Sequence, residues 1–155
     1  MRAMEMLEKM LRRKEWVRPT PNMLRSLLGS RDPEIRRKTI WLVGKFAQNK
    51  IQGDYPLNEI VSLVSDPDEE TRENAAWAIG EAAALGIGGE REAEKLVPLL
   101  ADGSPQVRGM AAWALGRLAE RRGARLPAGE TKLRSLLGDT SEYVKRTASW
   151  ALERY

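Results

Sequence analysis

The sequence predicts an all-α protein, an α-α superhelix in which a capping helix precedes four repeats of two helices each. Two observations predict it. A tryptophan recurs at a nearly fixed step, since Trp41, Trp77, Trp113 and Trp150 are 36, 36 and 37 residues apart. The residues around each tryptophan recur with it, including a turn signal and a basic residue five positions before the ring. A period of this length is typical of a solenoid of stacked helical units.

Residues 2–16 are predicted to form the capping helix, because their apolar residues fall at helical spacing. This segment holds no tryptophan of the 36-residue register, so we expect it to cover the open end of the stack. The prolines of Arg18-Pro19-Thr20-Pro21 are expected to end it. The basic cluster at 12–14 leaves a membrane-surface or targeting helix as an alternative. The apolar residues are Met4, Leu7, Met10 and Leu11.

Each repeat is predicted to contain a short apolar helix, a turn and a longer second helix. A capping Asp or Ser, often followed by proline, is expected to begin the second helix. These signals are Asp32-Pro33, Asp66-Pro67, Ser104-Pro105 and Asp139-Thr140-Ser141. The repeats are predicted at about 20–49, 55–87, 90–123 and 129–155. No connection between them is long enough to divide the chain, so 1–155 is predicted to be a single domain.

The Asp-Pro turn, the Val/Ile-Arg pair and the run Ala-Ala-Trp-Ala-Leu-Gly at 111–116 resemble HEAT repeats. They are most similar to the short HEAT-like type of phycobilin lyases (PBS-lyase-type repeats) and small archaeal proteins. The resemblance covers roughly residues 20–155 and implies an interaction scaffold whose second helices line a concave surface. Two positions depart from the pattern: Glu153 replaces the repeated glycine, and Lys145 replaces the repeated arginine.

A helical wheel of the second helices places the tryptophans opposite the core. In the first repeat Ile35, Thr39, Val43 and Phe46 are the predicted core residues. Stacked repeats would therefore form a row of tryptophans in a groove. The predicted groove residues are Trp41, Trp77, Trp113, Trp150, Arg37, Lys38, Glu73, Met110, Arg117 and Arg146. Trp and Arg are enriched in binding hot spots, but the indoles could equally pack between adjacent repeats, and both interpretations stay open here.

Two other sets of residues recur with the same period. The basic set is Arg36, Arg72, Arg108 and Lys145. We expect it to bind turn carboxylates within and between repeats, in preference to forming a ladder of anion sites. The glycine set is Gly44, Gly80 and Gly116. We expect these mid-helix glycines to let a neighbouring helix approach, since no strand precedes them as in a nucleotide site. The acidic run at 66–70 is interpreted as charge at a helix N-terminus, not as a cation site.

Composition excludes many reaction types. The chain has no cysteine and no histidine, which removes disulfides, thiolate chemistry, imidazole bases and most transition-metal sites. The deoxyhypusine hydroxylases, which are HEAT-like enzymes, need His-Glu iron ligands, and no residue here carries bilin lyase activity. We therefore expect no enzyme activity, no metal and no cofactor. Without a membrane span or signal sequence, a cytoplasmic protein is expected. The many Arg, Glu and Lys and few Gln and Asn favour a heat-adapted source.

The charge distribution favours one of two functions over the other. Residues 1–50 carry 13 Lys/Arg and 5 Asp/Glu, residues 51–104 carry 3 and 12, and residues 105–155 carry 10 and 5. The net charges are therefore +8, −9 and +5, a pattern that interrupts any continuous track for phosphates. We favour a non-enzymatic scaffold that binds a protein or peptide in the groove. A nucleic-acid-binding HEAT-like protein is the alternative.

The last repeat is expected to associate with another molecule. Tyr143, Trp150, Leu152 and Tyr155 would leave apolar surface facing water, which solenoid ends usually avoid. The simplest expectation is a two-fold homodimer through the C-terminal repeat.

Overall fold

The structure is a computed structural model that describes residues 2–16 and 20–155. Within these residues it has nine α-helices and no strand, and the predicted order of one capping helix and four helix pairs is confirmed. The capping helix is α1 (Arg2–Arg13). The pairs are α2 (Thr20–Leu28) with α3 (Pro33–Gln48), α4 (Leu57–Ser62) with α5 (Glu69–Ala83), α6 (Glu90–Leu96) with α7 (Pro105–Arg122), and α8 (Pro127–Ser135) with α9 (Glu142–Leu152).

The second helices pack side by side in chain order, α3 on α5, α5 on α7 and α7 on α9. In repeats two to four the first helix ends in a 3₁₀ turn that packs on its own second helix. These turns are Leu63–Ser65, Val97–Ala101 and Leu136–Gly138. Each repeat thus contacts mainly its neighbours along the stack, which is the arrangement expected of a solenoid.

Helix α1 covers the first repeat as predicted. Its apolar residues Met4, Leu7 and Met10 are buried, and α1 packs on α3. Glu8 also contacts Lys38 of α3, with Oε1 and Nζ 2.7 Å apart. The apolar side that a membrane-surface helix would need is therefore covered by α3.

The predicted end of α1 was too late. The helix ends at Arg13, because the next residue, Lys14, has φ 54° in the left-handed region. Part of the predicted break, Arg18-Pro19, lies outside the described residues. Pro21 does not act as a break, since it lies in the first turn of α2, where a missing backbone N–H costs nothing.

Side-chain caps begin all four second helices. Asp32, Asp68, Ser104 and Ser141 each accept a hydrogen bond from a backbone N–H of the first turn. The prediction that Asp66-Pro67 caps the second repeat was wrong, because Asp68 is the cap. Asp66 lies two residues before this cap, and its carboxylate accepts from the Asp68 N–H at 2.9 Å.

The predicted core side of the second helices is confirmed. In α3, Thr39, Val43 and Phe46 are buried and Ile35 is half-buried. The Thr39 hydroxyl donates to the Ile35 carbonyl at 2.6 Å, so the buried oxygen is satisfied. Small residues dominate α5 and α7, where Ala75, Ala76, Ala111 and Ala112 are fully buried. These alanines allow the second helices to approach closely.

None of the helices in the two described segments is long and apolar enough to cross a membrane.

Candidate functional site

A ladder of ion pairs connects the repeats. Nε of Arg36, Arg72 and Arg108 donates to the carboxylate of the next repeat, on Asp66, Asp102 and Asp139, at 2.8, 2.9 and 3.0 Å. Each of these arginines also donates to a backbone carbonyl of its own turn. The preference for paired arginines over anion sites is confirmed. The fourth residue, Lys145, forms an ion pair within α9, with Glu142 at 3.0 Å.

Two carboxylates of the ladder, Asp102 and Asp139, are stabilised in their ionised form. Burial would raise the pKa of Asp102, but hydrogen bonds from Arg72 and the Ser104 N–H outweigh it and lower that pKa. The pKa of Asp139 is lowered mainly by the hydrogen bond from Arg108. Because these pKa values are depressed in the folded state, the stability they contribute is present above the ordinary value of 3.8 and is lost as the pH falls below it.

We expect Asp102→Ala to lower the free energy of unfolding by about 2 kcal/mol near neutral pH, because it leaves the Arg72 guanidinium half-buried without its partner. The difference from wild type should shrink in acid, where wild-type Asp102 is itself protonated. Denaturant unfolding at neutral and acid pH measures both. The control is Glu130→Ala, which removes the exposed Arg134–Glu130 pair and should cost less than about 0.5 kcal/mol. Equal costs for the two variants would contradict the role of the ladder.

The four tryptophans of the repeat lie in two different environments. Trp41 is 43% exposed, whereas Trp77, Trp113 and Trp150 are half-buried. The three half-buried rings lie on the glycine of the preceding repeat: Trp77 on Gly44, Trp113 on Gly80 and Trp150 on Gly116. A Cβ atom at any of these glycines would be less than 3.0 Å from the ring. The prediction that the glycines let a neighbouring helix approach is confirmed. The group that lies against each glycine is the indole of that helix's tryptophan.

Two further aromatic residues make the same contact outside the tryptophan register. Tyr143 of α9 lies on Gly109 of α7, and Trp16, which follows α1, lies on Gly53. Trp16 also packs against Phe46 and Tyr55, with ring centroids 5.9 and 4.8 Å away. These contacts were not predicted from the sequence. The glycine at 109 was the available signal, because the equivalent positions Arg37 and Glu73 carry long side chains.

The parts of the rings that do not pack on glycine line adjoining clefts. One cleft, of about 230 Å³, is lined by Trp77, Met110, Trp113, Tyr143 and Thr147. The next is lined by Trp113, Tyr143, Arg146, Thr147 and Trp150, so the two share three residues. A separate cleft surrounds Trp41 and includes Arg37, Lys38 and Glu70. We call the surface of these clefts on α3, α5, α7 and α9 the tryptophan face. The rings therefore pack between repeats, and part of their apolar surface remains exposed in the clefts.

Most of the predicted cationic residues of the face have partners within the chain. Arg37 donates to Asp68 at 3.0 Å and lies 3.6 Å from Glu70, so it joins repeats one and two. The guanidinium of Arg117 lies over Trp113, 5.6 Å from the ring centroid, and Arg154 lies 3.7 Å from that of Trp150. Arg146 is exposed at the edge of the second cleft. Of these groups, Arg146 is placed best for contact with a ligand.

Glu73 is the acidic group of the predicted site. Burial raises its pKa, and the nearby carboxylates Glu70 and Glu69 raise it further. Burial and the charge of Glu73 also raise the pKa of the Tyr143 hydroxyl. Glu73 is therefore close to Tyr143, one of the three residues that both clefts share. A cation placed there would relieve repulsion among three carboxylates.

The expectation for the end of the last repeat was wrong in detail. Of the four residues named, Tyr143 is exposed, at 37%, and the other three are half-buried. The Tyr155 ring packs against Gly129, and its hydroxyl is buried without a hydrogen-bond partner. Leu152 is half-buried and packs against the hydrophobic core. Leu137, which was not among the four, is more exposed than any of them, at 45%.

Across residues 2–16 and 20–155 no group of three or more acidic side chains is arranged to hold a metal ion. The acidic run at 66–70 is used for packing between repeats, since Asp66 and Asp68 bind arginines of the preceding repeat.

Helix pairs that stack in one direction, with each second helix contacting the next, define an α-solenoid. The sequence profile of HEAT repeats matches residues 21–116 and 93–155. The chain belongs to the HEAT-repeat family, as the sequence resemblance predicted. Comparison with curated proteins finds no match.

Solved structures with the same fold include designed proteins and a natural one. An engineered protein is 22% identical over 97% of this chain and 66% of its own, with a TM-score of 0.71. A designed armadillo repeat protein in complex with the peptide (KR)4 is 24% identical over 97% of this chain and 68% of its own, with a TM-score of 0.67. Kap121p matches 96% of this chain with 16% of its own, at 18% identity and a TM-score of 0.74. The chain spans about two thirds of the length of the first two proteins.

Proposed function

We propose that this protein is a non-enzymatic scaffold whose tryptophan face binds a segment of a protein partner. The observation that carries the proposal is the pair of adjoining clefts lined by Trp77, Met110, Trp113, Tyr143 and Trp150. Aromatic side chains that are rigidly held yet partly open are typical hot spots, because binding buries apolar area at little cost in side-chain entropy. Packing on a glycine of the preceding repeat holds all four of these rings in place.

The charges of the face favour a segment with a basic residue beside its apolar anchors. Glu73 and its neighbours Glu69 and Glu70 form a negative region next to the first cleft. A lysine or arginine of the partner would be attracted there while an apolar neighbour entered the cleft. A structural neighbour offers a parallel in chemistry, since the designed armadillo protein was solved with the basic peptide (KR)4.

Selection from a random peptide library tests the proposal. We expect wild type to enrich peptides that combine apolar residues with Lys or Arg. Met110→Glu, which places a charge in the first cleft, should not enrich them. Glu73→Gln should raise the dissociation constant of the selected peptides about tenfold, because it removes a charge-assisted contact. The same change should not lower stability near neutral pH, because the raised pKa of Glu73 means that its ionised form does not stabilise the fold.

Two results would contradict the proposal. One is a selection in which wild type and Met110→Glu enrich the same peptides. The other is tight binding of a short DNA duplex at physiological salt, which would favour the nucleic-acid alternative. We expect duplex binding to be weak and to disappear as salt rises, since Glu70 and Glu73 would repel phosphates.

A further inference from the structure

In the first three repeats, one side of the second helix is built to receive the next repeat. It carries an arginine for the ion-pair ladder, a buried apolar residue, and the glycine on which the next tryptophan lies. The middle residues, Ile40, Ala76 and Ala112, are fully buried. The complete sets are Arg36, Ile40 and Gly44, then Arg72, Ala76 and Gly80, then Arg108, Ala112 and Gly116.

The fourth repeat has different residues at all three positions. Lys145, Ser149 and Glu153 stand where the others have arginine, an apolar residue and glycine. We call these three residues the outer stripe of α9. A Glu153 side chain lies where the tryptophan of a following repeat would have to lie, because even a methyl group at Gly44, Gly80 or Gly116 would be too close to that ring. The outer stripe therefore rejects another repeat of the same kind.

The outer stripe nevertheless borders apolar surface. Leu137 is 45% exposed, whereas its equivalents Leu28, Val64 and Leu100 are 2%, 5% and 2% exposed under the next repeat. A shallow cleft beside Leu137 is lined by all three residues of the stripe together with Arg146 and Trp150. A surface of this kind favours contact with some other partner.

The charges of the stripe identify that partner. The three residues are spaced by four, so they follow one line along α9, with a cation at one end, a small residue in the middle and an anion at the other. The charges on two copies of this line are complementary when the copies run antiparallel. If two copies of α9 cross antiparallel at Ser149, Lys145 of each copy meets Glu153 of the partner subunit. Among residues 2–16 and 20–155, the ion pairs of Lys145 and Glu153 are with Glu142 and Arg154 of their own chain. Ion pairs of this kind at a protein surface have little energetic value.

We propose that the outer stripe of α9 is the interface of a two-fold homodimer, in which two Lys145–Glu153 ion pairs flank a contact between the Ser149 residues and the two Leu137 side chains lie beside it. The dimer leaves the cleft of Trp77, Met110 and Trp113 open in both copies, because none of these residues lines the cleft beside the stripe. One end of a single repeat is a small interface, so the dissociation constant should be micromolar or weaker.

Charge exchange tests the interface. Sedimentation equilibrium from about 10 µM to 1 mM should show dimers of the wild type. Lys145→Glu and Glu153→Lys should each raise the dissociation constant at least about tenfold, because each places like charges opposite one another twice. The double variant, Lys145→Glu with Glu153→Lys, should restore dimerisation because it re-forms both pairs with reversed sign. Leu137→Ser should weaken the dimer by removing its apolar part.

Lys132→Glu is the matched control, since Lys132 is exposed on α8 and away from the stripe. It makes the same charge change as Lys145→Glu and should leave dimerisation unchanged. Circular dichroism should show that each variant is folded, because the changes are at the protein surface. A wild type that stays monomeric at the highest concentration overturns the proposal. So do single variants that dimerise as well as wild type, or a double variant that remains as weak as the singles. None of these results bears on peptide binding, which has its own test.

Discussion

Trp113→Ala is expected to lower the free energy of unfolding by about 2–4 kcal/mol, whereas Trp41→Ala should cost no more than about 1 kcal/mol. The sequence makes the two residues equivalent, but their surroundings differ. Trp113 packs on Gly80 of the preceding repeat, and its removal opens a void between α5 and α7. Trp41 has no such glycine among the described residues and is 43% exposed. Urea or guanidinium unfolding, followed by circular dichroism, measures the difference.

The pair is its own control, because both variants remove an indole from the same position of a second helix. Helix propensity therefore changes by nearly the same amount in each. Costs that are equal within error would mean that the contact with glycine adds nothing to stability. The tryptophan row would then be purely a surface feature, as a helical wheel alone suggests.

Leu115→Ala is expected to cost about 2–5 kcal/mol, since it leaves a cavity in the core of α7. Leu115 is fully buried, and α7 packs on both α5 and α9. The stability of a solenoid is a sum over repeats and their interfaces, so weakening the third repeat should also broaden the unfolding transition. Leu137→Ala removes the same atoms from an exposed site and should change stability by less than about 0.5 kcal/mol.

A sharp, unbroadened transition for Leu115→Ala would indicate that the four repeats unfold as one unit despite the weakened interface. A cost for Leu137→Ala close to that of Leu115→Ala would show that Leu137 is buried in solution. That second outcome would agree with a dimer stable at the concentration used, and repeating the measurement after dilution would separate the two cases.

The fold was predictable because each local signal agreed with the repeat. Helical spacing, the caps at Asp32, Ser104 and Ser141, and the core side of α3 all follow from rules that act within one repeat. The error at Asp66 shows the limit of such rules. An aspartate before proline at a turn is an ordinary cap, but Asp66 binds Arg36 of the preceding repeat instead. Asp66, Asp102 and Asp139 share the period of the tryptophans, and that period was the available signal.

The candidate site was predictable only in part. A wheel of one helix places Trp77 away from its own core, and that is where it lies. The wheel does not contain the neighbouring helix, so it cannot show that the ring packs on Gly44. The same limit applies to Arg37, which was placed in the groove but reaches across to Asp68. Contacts between repeats depend on how far one unit is shifted against the next, and no single repeat encodes that shift.

The contact between each tryptophan ring and the preceding glycine is the feature on which both the stack and the shape of the tryptophan face depend. A double-mutant cycle of Gly80→Ala and Trp113→Ala tests it most directly. With Trp113 present, Gly80→Ala should destabilise by about 1–3 kcal/mol, because the new methyl group displaces the ring. With Trp113→Ala, the same change should stabilise by up to about 1 kcal/mol, since alanine favours the helix and no ring opposes it. An effect of the same sign and size in both backgrounds would contradict the contact.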